Sequence, residues 1–438
     1  MRKPRAAYEL ARSQVETPQA IVRIFWKIAH KYRPRFSRIL DLGAGDGRFA
    51  IGGRFSSYEG VEIDNSRNPS DKLPRGARIV YSCAFKHAGT GYAACIGNPP
   101  YVRHHDLDEH WRNAVARRLR KETGVEINKK CNLYIYFLFL ALLKSRRDGI
   151  ASALVPYEWV SRPSAKPLRE YIERNLWHVD VYRFSESVFK GVLTTASISI
   201  IDKKNKDGQW RYFSLSSVGS TLELGQMTGS NRKVLSYEDR GELWAMRGMS
   251  PGTQKVFTLT EGERIHAGLT YEDVSPCVTS LRGVPKDMAH LTEAAFRKRF
   301  VETGAKCWLI KSHVEGISPR LQAYLESVSE KDRDTWTCNS RDPWYRHVLC
   351  DAPGLLVSTG FTKFGPKVLV NSVAAHAVGS VCGVYSGRHI AWSFLRAYLM
   401  GINFEDRIVP HANNLKKIEI RQLNGVLNSY LRMEKCHA

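Results

Sequence analysis

The tetrapeptide Asn98-Pro99-Pro100-Tyr101 has the residue types and the order needed to hold a planar amino group. Two successive prolines fix φ and remove two backbone donors, which leaves the carbonyls of the loop rigidly aimed as acceptors. The Asn98 side-chain oxygen can accept one N–H, the Pro99 carbonyl the other, and Tyr101 can stack on the ring that carries the amine. Drawing both hydrogens toward acceptors bends the nitrogen toward tetrahedral geometry and localises its lone pair for in-line attack on a methyl sulfonium. No general base is needed before attack, and an amide could not act as one. Taken alone, the tetrapeptide reads as a rigid Pro-Pro turn under a tyrosine, so its chemistry depends on a cofactor site beside it.

One candidate site is the run Asp41-Leu42-Gly43-Ala44-Gly45-Asp46-Gly47-Arg48-Phe49, whose glycines let the backbone pass close beneath a ligand at the end of a strand. Such a run serves several kinds of nucleotide binder, and plain tight turns as well. Glu62 ends the next strand-like segment, residues 60–64, about 20 residues downstream, where an acid can hold both ribose hydroxyls of an adenosine-containing cofactor. Asp64 competes for that role. A dinucleotide enzyme wants a helix N-terminus free for pyrophosphate. Asp41, Asp46, Glu62 and Asp64 instead place negative charge around the glycines, which repels pyrophosphate and suits the amino and sulfonium cations of S-adenosylmethionine.

The elements that must position these loops follow from pattern. Residues 17 to about 204 alternate short apolar strands with amphipathic helices, the rhythm of an α/β domain with a mostly parallel sheet. Thr17-Pro18 opens a helix with Ile21, Ile24, Phe25 and Ile28 on its apolar face; strands are expected at 37–42, 60–64, 94–97 and 149–155, and a long helix over 132–146. Asn132 reads as that helix's cap or as a residue that orients a loop, capping being the commoner role. The turn-rich, charged segment 202–208 reads as a linker, placing a domain boundary between Lys204 and Asn205. Beyond it the texture becomes mixed and β-rich.

Composition narrows the partners. In 438 residues the net charge is +23, which points to a polyanion, and 43% hydrophobic content argues against disorder. The longest apolar run, residues 133–143, lies between Lys130 and Lys144 and falls short of the about 20 residues of a membrane span. The N-terminal segment has no secretory pattern, so a cytoplasmic protein is expected. Nine scattered cysteines without a Cys-x-x-Cys pair suggest reduced thiols and no structural zinc. The stretch His104-His105-Asp106-Leu107-Asp108-Glu109-His110 matches no common ligand spacing, and no metal is expected.

Taken in order, these motifs resemble the S-adenosylmethionine-dependent DNA adenine-N6 methyltransferases of the TaqI type, the gamma arrangement, over residues 16–202. Glu16-Thr17-Pro18 is similar to the family's N-terminal cofactor motif, Lys130-Cys131-Asn132-Leu133-Tyr134 and the segment around Val155-Pro156 to the helix and strand after the catalytic loop, and Val188-Phe189 to the segment that lies against the adenine. The resemblance implies a Rossmann-like catalytic domain over residues 1–204 and a β-rich target recognition domain over 205–438. It implies S-adenosylmethionine held by Thr17, Asp41, Gly43, Gly45, Phe49, Glu62, Ile63 and Phe85, and an adenine flipped from double-stranded DNA onto Asn98, Pro99, Pro100, Tyr101 and Phe189. It further implies a restriction-modification system with an endonuclease acting on the same site. Two departures stand out: Ala84-Phe85 replaces the common Asp-Phe, leaving only the ring to stack, and Tyr92-Ala93-Ala94 lacks a frequent acid.

Flipping a base out of the stack needs compensating backbone contacts. Arg112, Arg117, Arg118, Arg120, Lys121 and Lys130 follow the catalytic loop and are the first candidates for phosphate contacts; Arg297-Lys298-Arg299, Trp344-Tyr345-Arg346 and residues 361–367 are later ones. Methyltransferases acting on RNA or on a protein glutamine share an Asn-Pro-Pro-Tyr-like loop and form one alternative. A DNA-recognition subunit without activity, suggested by Ala84 and Ala93, forms another.

Overall fold

The computed structural model describes residues 16–185, 195–215, 225–226, 235–361, 364–404, 407–408, 410–412 and 415–437. Its chain contacts define two compact units, Met1–Val234 with Val409–Asn414, and Leu235–Ile408 with Leu415–Ala438.

In the first unit α1 (Gln19–Tyr32) starts directly after Pro18 and buries Ile21, Val22, Phe25, Trp26, Ile28 and Ala29. Then come β1 (Phe36–Leu42), β2 (Phe55–Glu62), β3 (Ala77–Tyr81), β4 (Tyr92–Ile96), α2 (Glu109–Thr123), α3 (Leu133–Lys144), β5 (Ser145–Pro156), α4 (Lys166–Arg174), β6 (His178–Phe184), β7 (Ala196–Asp202), β8 (Trp210–Leu215) and β9 (Gly225–Gln226). The strands form one sheet in the order β3-β2-β1-β4-β5-β7-β6-β8-β9. β1 to β5 run parallel, and β7 lies antiparallel between β5 and β6. This is the expected mostly parallel α/β fold. All five residues of β4 are buried, as a strand covered on both faces requires. α3 is apolar all round and buries every residue but Leu143, so its apolar run is a core helix. Among the described residues no helix is long and apolar enough to cross a membrane.

The segment 202–208 differs from the linker it resembles. The Asp202 and Asp207 carboxylates accept the N–H groups of Lys204 and Gln209, closing a tight turn. The chain then re-enters the same sheet as β8, in parallel register with β6 from Val179↔Trp210 onward. Turns inside a sheet and linkers between domains draw on the same Asp, Asn and Gly chemistry, and only the strand beyond tells them apart. The boundary after Lys204 is thus a turn within the first unit, whose chain continues to Val234.

The second unit is mixed and β-rich. It holds a five-stranded sheet built from Leu243–Arg247, Val381–Ser386, Leu355–Ser358, Val368–Asn371 and His290–Leu291, and a four-stranded one from Thr258–Leu259, Trp308–Ile310, Val274–Val278 and His376–Ala377. Helix Ile420–His437 packs beside the strand Leu243–Arg247, where Asn424 Oδ1 accepts the Ala245 N–H at 2.8 Å. The eight cysteines from Cys83 to Cys382 are free thiols.

Candidate active site

β1 is flanked by β2 on one side and β4 on the other, so strand order reverses there and the loops after β1 and β4 emerge side by side, the usual ligand position of such sheets. Asp41 pairs with Ile96 across this junction, which sets Gly43 and Asn98 each two residues beyond. Gly43 has φ +80°, a left-handed backbone that favours glycine, while a Cβ there would meet only ordinary contacts, 3.8 Å from Pro100 Cδ and 3.9 Å from Phe137 Cε1. At Gly97 a Cβ would fall 2.8 Å from both Asp41 Oδ1 and the Leu42 carbonyl, so the residue before the Asn98–Tyr101 loop must be glycine.

Asn98 is held by one edge only. Its Nδ2 donates to Thr17 Oγ1 at 3.0 Å, while Oδ1 is buried with no hydrogen-bond partner among the described residues. Tyr101 donates its hydroxyl to the Leu154 carbonyl at 3.0 Å, and its ring meets Tyr134 edge-on at 6.1 Å. Burial pushes that phenol well above its ordinary range, so it stays protonated. The Leu154 N–H in turn binds the Gly97 carbonyl at 2.9 Å, fastening the loop to β5. Phe189, the expected second face of an adenine sandwich, lies outside the described residues.

On the glycine side Glu62 is almost fully committed. Its Oε2 accepts the Gly45 N–H at 2.8 Å, and Oε1 accepts those of Ile63 and Asp64 at 2.9 Å each. Ile63, 47% exposed beside it, presents an apolar surface suited to a purine face. The ring of negative charge expected here is largely neutralised. Asp46 forms a bidentate pair with Arg48, and Asp64 lies 3.9 Å from Arg67, whose Nη1 is 3.1 Å from where a Gly45 Cβ would be. Asp41 is fully buried, bonded to the Tyr58 hydroxyl through Oδ2, and its Oδ1 has no partner among the described residues. Burial pushes its carboxyl up to about 7; the Tyr58 bond opposes this, and the nearby Glu62 and Asp46 charges add to it. Asp46 and Asp64 thus face arginines, whereas among the described residues Glu62 is held by backbone N–H groups and Asp41 by the Tyr58 hydroxyl.

Several expected ligands are core residues. Phe49 is 3% exposed, packs edge-on against Phe25 at 5.1 Å, and its carbonyl accepts the Trp26 indole N–H. Phe85 is buried between Trp111 and Phe137, edge-on to both, and presents no open face. Ala84 and Ala93 are buried in the two hydrophobic clusters of the first unit, so an acid at either place would need a partner within the core. Asn132 sits at the helix start without capping it; its Oδ1 accepts the His104 N–H at 3.3 Å and so orients the loop. Four further residues shape the site and were not singled out from the sequence: Arg48, Tyr58, Arg67 and Phe137. Only Arg48 had a sequence cue, its place beside Asp46 in the glycine run.

The basic segment is partly spoken for. Arg112 donates to the His104 carbonyl at 2.8 Å, and Arg118 pairs with Glu122 at 2.7 Å and reaches the Phe85 carbonyl. Arg120 pairs with Glu126 at 2.8 Å, whereas Arg117 and Lys130 are exposed. Among the described residues no group of three or more His, Cys, Asp or Glu side chains could hold a metal ion.

The family model of the Eco57I restriction-modification methylase matches residues 56–189, and that of the C-terminal domain of the type II methyltransferase M.Eco57I matches residues 193–400. The two matches lie one after the other along the chain and support a restriction-modification methyltransferase similar to the Eco57I type. Among curated relatives, the type II methyltransferase M.XamI of Xanthomonas campestris pv. amaranthicola is 23% identical over 426 residues, 89% of this chain and 79% of that protein. M.AccI of Acinetobacter calcoaceticus is 21% identical over 404 residues, 83% and 73% of the two chains. The solved structure of the type IIL restriction-modification enzyme MmeI with DNA superposes with a TM-score of 0.55 at 10% identity, covering 92% of this chain and 63% of its own, and so shares the fold.

In the methylase's second unit a cavity of about 820 Å³ is lined by Arg247, Arg282, Lys286, Lys367, Lys417 and Phe364. Lys367 is consumed by the carbonyls of Leu281, Arg282 and Val284. Phe361 is buried, but Phe364 is 65% exposed, with Lys286 Nζ 5.0 Å from its ring centre. The two aromatics of segment 361–367 thus divide between core and surface.

Proposed function

We propose that this methylase transfers the methyl group of S-adenosylmethionine to N6 of an adenine flipped out of double-stranded DNA, in the gamma arrangement of motifs. The observation that carries the reading is Asn98 Oδ1, a buried acceptor without a partner among the described residues, beside the Pro99 carbonyl and the Tyr101 ring. A buried acceptor left unpaired is costly, and an exocyclic amine donating to it removes the cost. The amine gives one N–H to Asn98 Oδ1 and the other to the Pro99 carbonyl, while Tyr101, pinned through its hydroxyl, offers its ring to the base.

The residues present suit the cofactor on the same grounds. Asp41 Oδ1 is an orphaned acceptor under the loop, the left-handed glycines leave room for close approach, and Ile63 and Glu62 stand at the end of β2 for adenine and ribose. S-adenosylmethionine supplies the electrophilic methyl on its sulfonium. The chain's own work is to orient the amine, keep water from Oδ1 and stack the base. After transfer the surplus proton leaves from N6, and no side chain has to remove it beforehand.

Arg117 and Lys130 in the first unit and the basic cavity of the second are the phosphate-contact candidates, the second unit acting as the target recognition domain. The partners are duplex DNA and an endonuclease of the same specificity, and the bacterial cytoplasm is the place of action. Incubating the full chain with tritiated S-adenosylmethionine and duplex DNA should label N6-methyladenine, with label absent for Asn98→Ala. Label on cytosine, on RNA or on a protein glutamine in place of adenine would overturn the assignment.

A further inference from the structure

Thr17 falls in the segment that resembles a cofactor motif, yet its side chain addresses the catalytic loop. It is 3% exposed, and its Oγ1 lies 3.0 Å from Asn98 Nδ2. A carboxamide is planar, with oxygen and nitrogen on opposite edges, so a partner that accepts from Nδ2 also fixes where Oδ1 points. An incoming amine that donates to Oδ1 requires Nδ2 on the other edge, and the threonine hydroxyl is the acceptor waiting there.

Thr17 is itself held from the glycine loop. Arg48 Nη1 donates to the Thr17 carbonyl at 2.9 Å, its Nη2 to Glu16 at 2.8 Å and to Asp46 at 2.7 Å, and its Nε to Asp46 at 2.8 Å. One guanidinium therefore joins the segment before α1 to the turn after β1, and the Thr17 hydroxyl carries that register to the turn after β4. The glycine loop and the amine acceptor share one rigid frame. Reaction by in-line attack depends on how the acceptor and the cofactor loop are placed relative to each other.

We propose that Thr17 is a positioning residue for methyl transfer: its hydroxyl orients the Asn98 carboxamide with Oδ1 toward the substrate amine, and the Arg48 clamp keeps that orientation in register with the glycine loop. This rests on the reading of Asn98 as the amine acceptor. Thr17→Val keeps shape and removes the acceptor, leaving Nδ2 buried and unpaired so that the amide can turn. Thr17→Ser keeps the hydroxyl.

The test compares Thr17→Val, Thr17→Ser and Asn98→Ala in the full chain, by steady-state kinetics on duplex DNA and by calorimetric titration with S-adenosylmethionine. Thr17→Val should lower kcat roughly tenfold, the worth of one oriented hydrogen bond, with cofactor affinity changed by no more than about twofold, and Thr17→Ser should restore most of the rate. A Thr17→Val enzyme with wild-type kcat overturns the inference, and so does one whose loss lies wholly in cofactor affinity, which would make Thr17 a cofactor ligand. Undiminished transfer by Asn98→Ala would instead overturn the underlying reading of Asn98. If Thr17→Val fails to unfold cooperatively, Thr17→Ala, which adds no methyl against the amide, carries the same comparison.

Discussion

Around the glycine loop the polar groups have found one another: Glu62 accepts three backbone N–H groups, and Asp46 and Arg48 form a bidentate pair. Around the loop after β4 they have not: Asn98 Oδ1 is buried without a partner among the described residues, and so is the Oδ1 of Asp41, which reaches from β1 to the underside of that loop at Gly97. The first region holds its shape before any ligand arrives, and a ligand adds to contacts already made. The second stores unmet hydrogen-bonding capacity that only a ligand satisfies. That division fits a tightly shaped cofactor pocket beside an acceptor reserved for the reacting amine, and it implies that substitutions in the two regions act on different kinetic constants.

The largest effect should come from the unmet side. Asn98→Ala removes an acceptor aimed at the reacting atom and should lower kcat by roughly 100- to 1,000-fold, the range found for a positioned group that acts on developing charge. Its KM for S-adenosylmethionine should stay near the wild-type value; a loss confined to KM would erase the distinction between the two regions.

Glu62→Gln attacks the satisfied side. The amide nitrogen cannot accept from the Gly45 N–H, and the charge that supports a ribose contact is gone. Loss of one charge-assisted bond should weaken cofactor binding by roughly 10- to 100-fold, read by calorimetric titration, with a smaller change in kcat. A fall in kcat at unchanged affinity would count against the comparison.

How much of this was legible beforehand depends on distance along the chain. The tetrapeptide Asn98–Tyr101 and the glycine run are local signals, since prolines and glycines dictate backbone shape wherever they sit, and both loops lie where their strands predicted. Glu62 was legible too, as an acid closing a strand. What the sequence concealed was pairing across distance: Arg48 tying Asp46 to Glu16 and to the Thr17 carbonyl, or Tyr58 reaching Asp41 through the sheet. Four acids near the glycines looked like a negative field because arginines 67 and 48 were not seen to fold back onto two of them. The burial of Phe49 and Phe85 was hidden for a related reason, as a phenylalanine next to a ligand loop and one in the core beneath it share the same neighbours in sequence. The turn 202–208 passed for a linker because a sheet turn uses the same residues.

Asp41 tests the unmet side by pH. Its carboxyl is pushed up to about 7, chiefly by burial, from an ordinary value of 3.8. Between those values the folded protein holds a proton that the unfolded chain releases, so stability should fall as pH rises toward 7, and above 7 the full penalty of the buried charge is present. The slope is at most about 1.4 kcal/mol per pH unit. Asp41→Asn, which can still accept from Tyr58, removes the titration, so its stability relative to the wild type should be greater at pH 8 than at pH 5 in denaturant unfolding. An equal difference at both pH values would show that Asp41 ionises freely in the fold.

The smallest effect carries the same contrast to the DNA-facing candidates on α2. Arg118 already spends its guanidinium on Glu122 and the Phe85 carbonyl, whereas its neighbour Arg117 is exposed. A cation that meets a phosphate releases counterions, so replacing one flattens the dependence of log affinity on log salt by about 1 unit. Arg117→Gln should show this flattening in duplex binding measured across a salt series. Arg118→Gln should leave the salt slope closer to wild type and instead lower the melting temperature, because its bonds lie within the fold. Equal slopes for the two variants would mean that an internal ion pair does not withdraw an arginine from DNA, and that the division between satisfied and unmet groups stops at the active-site loops.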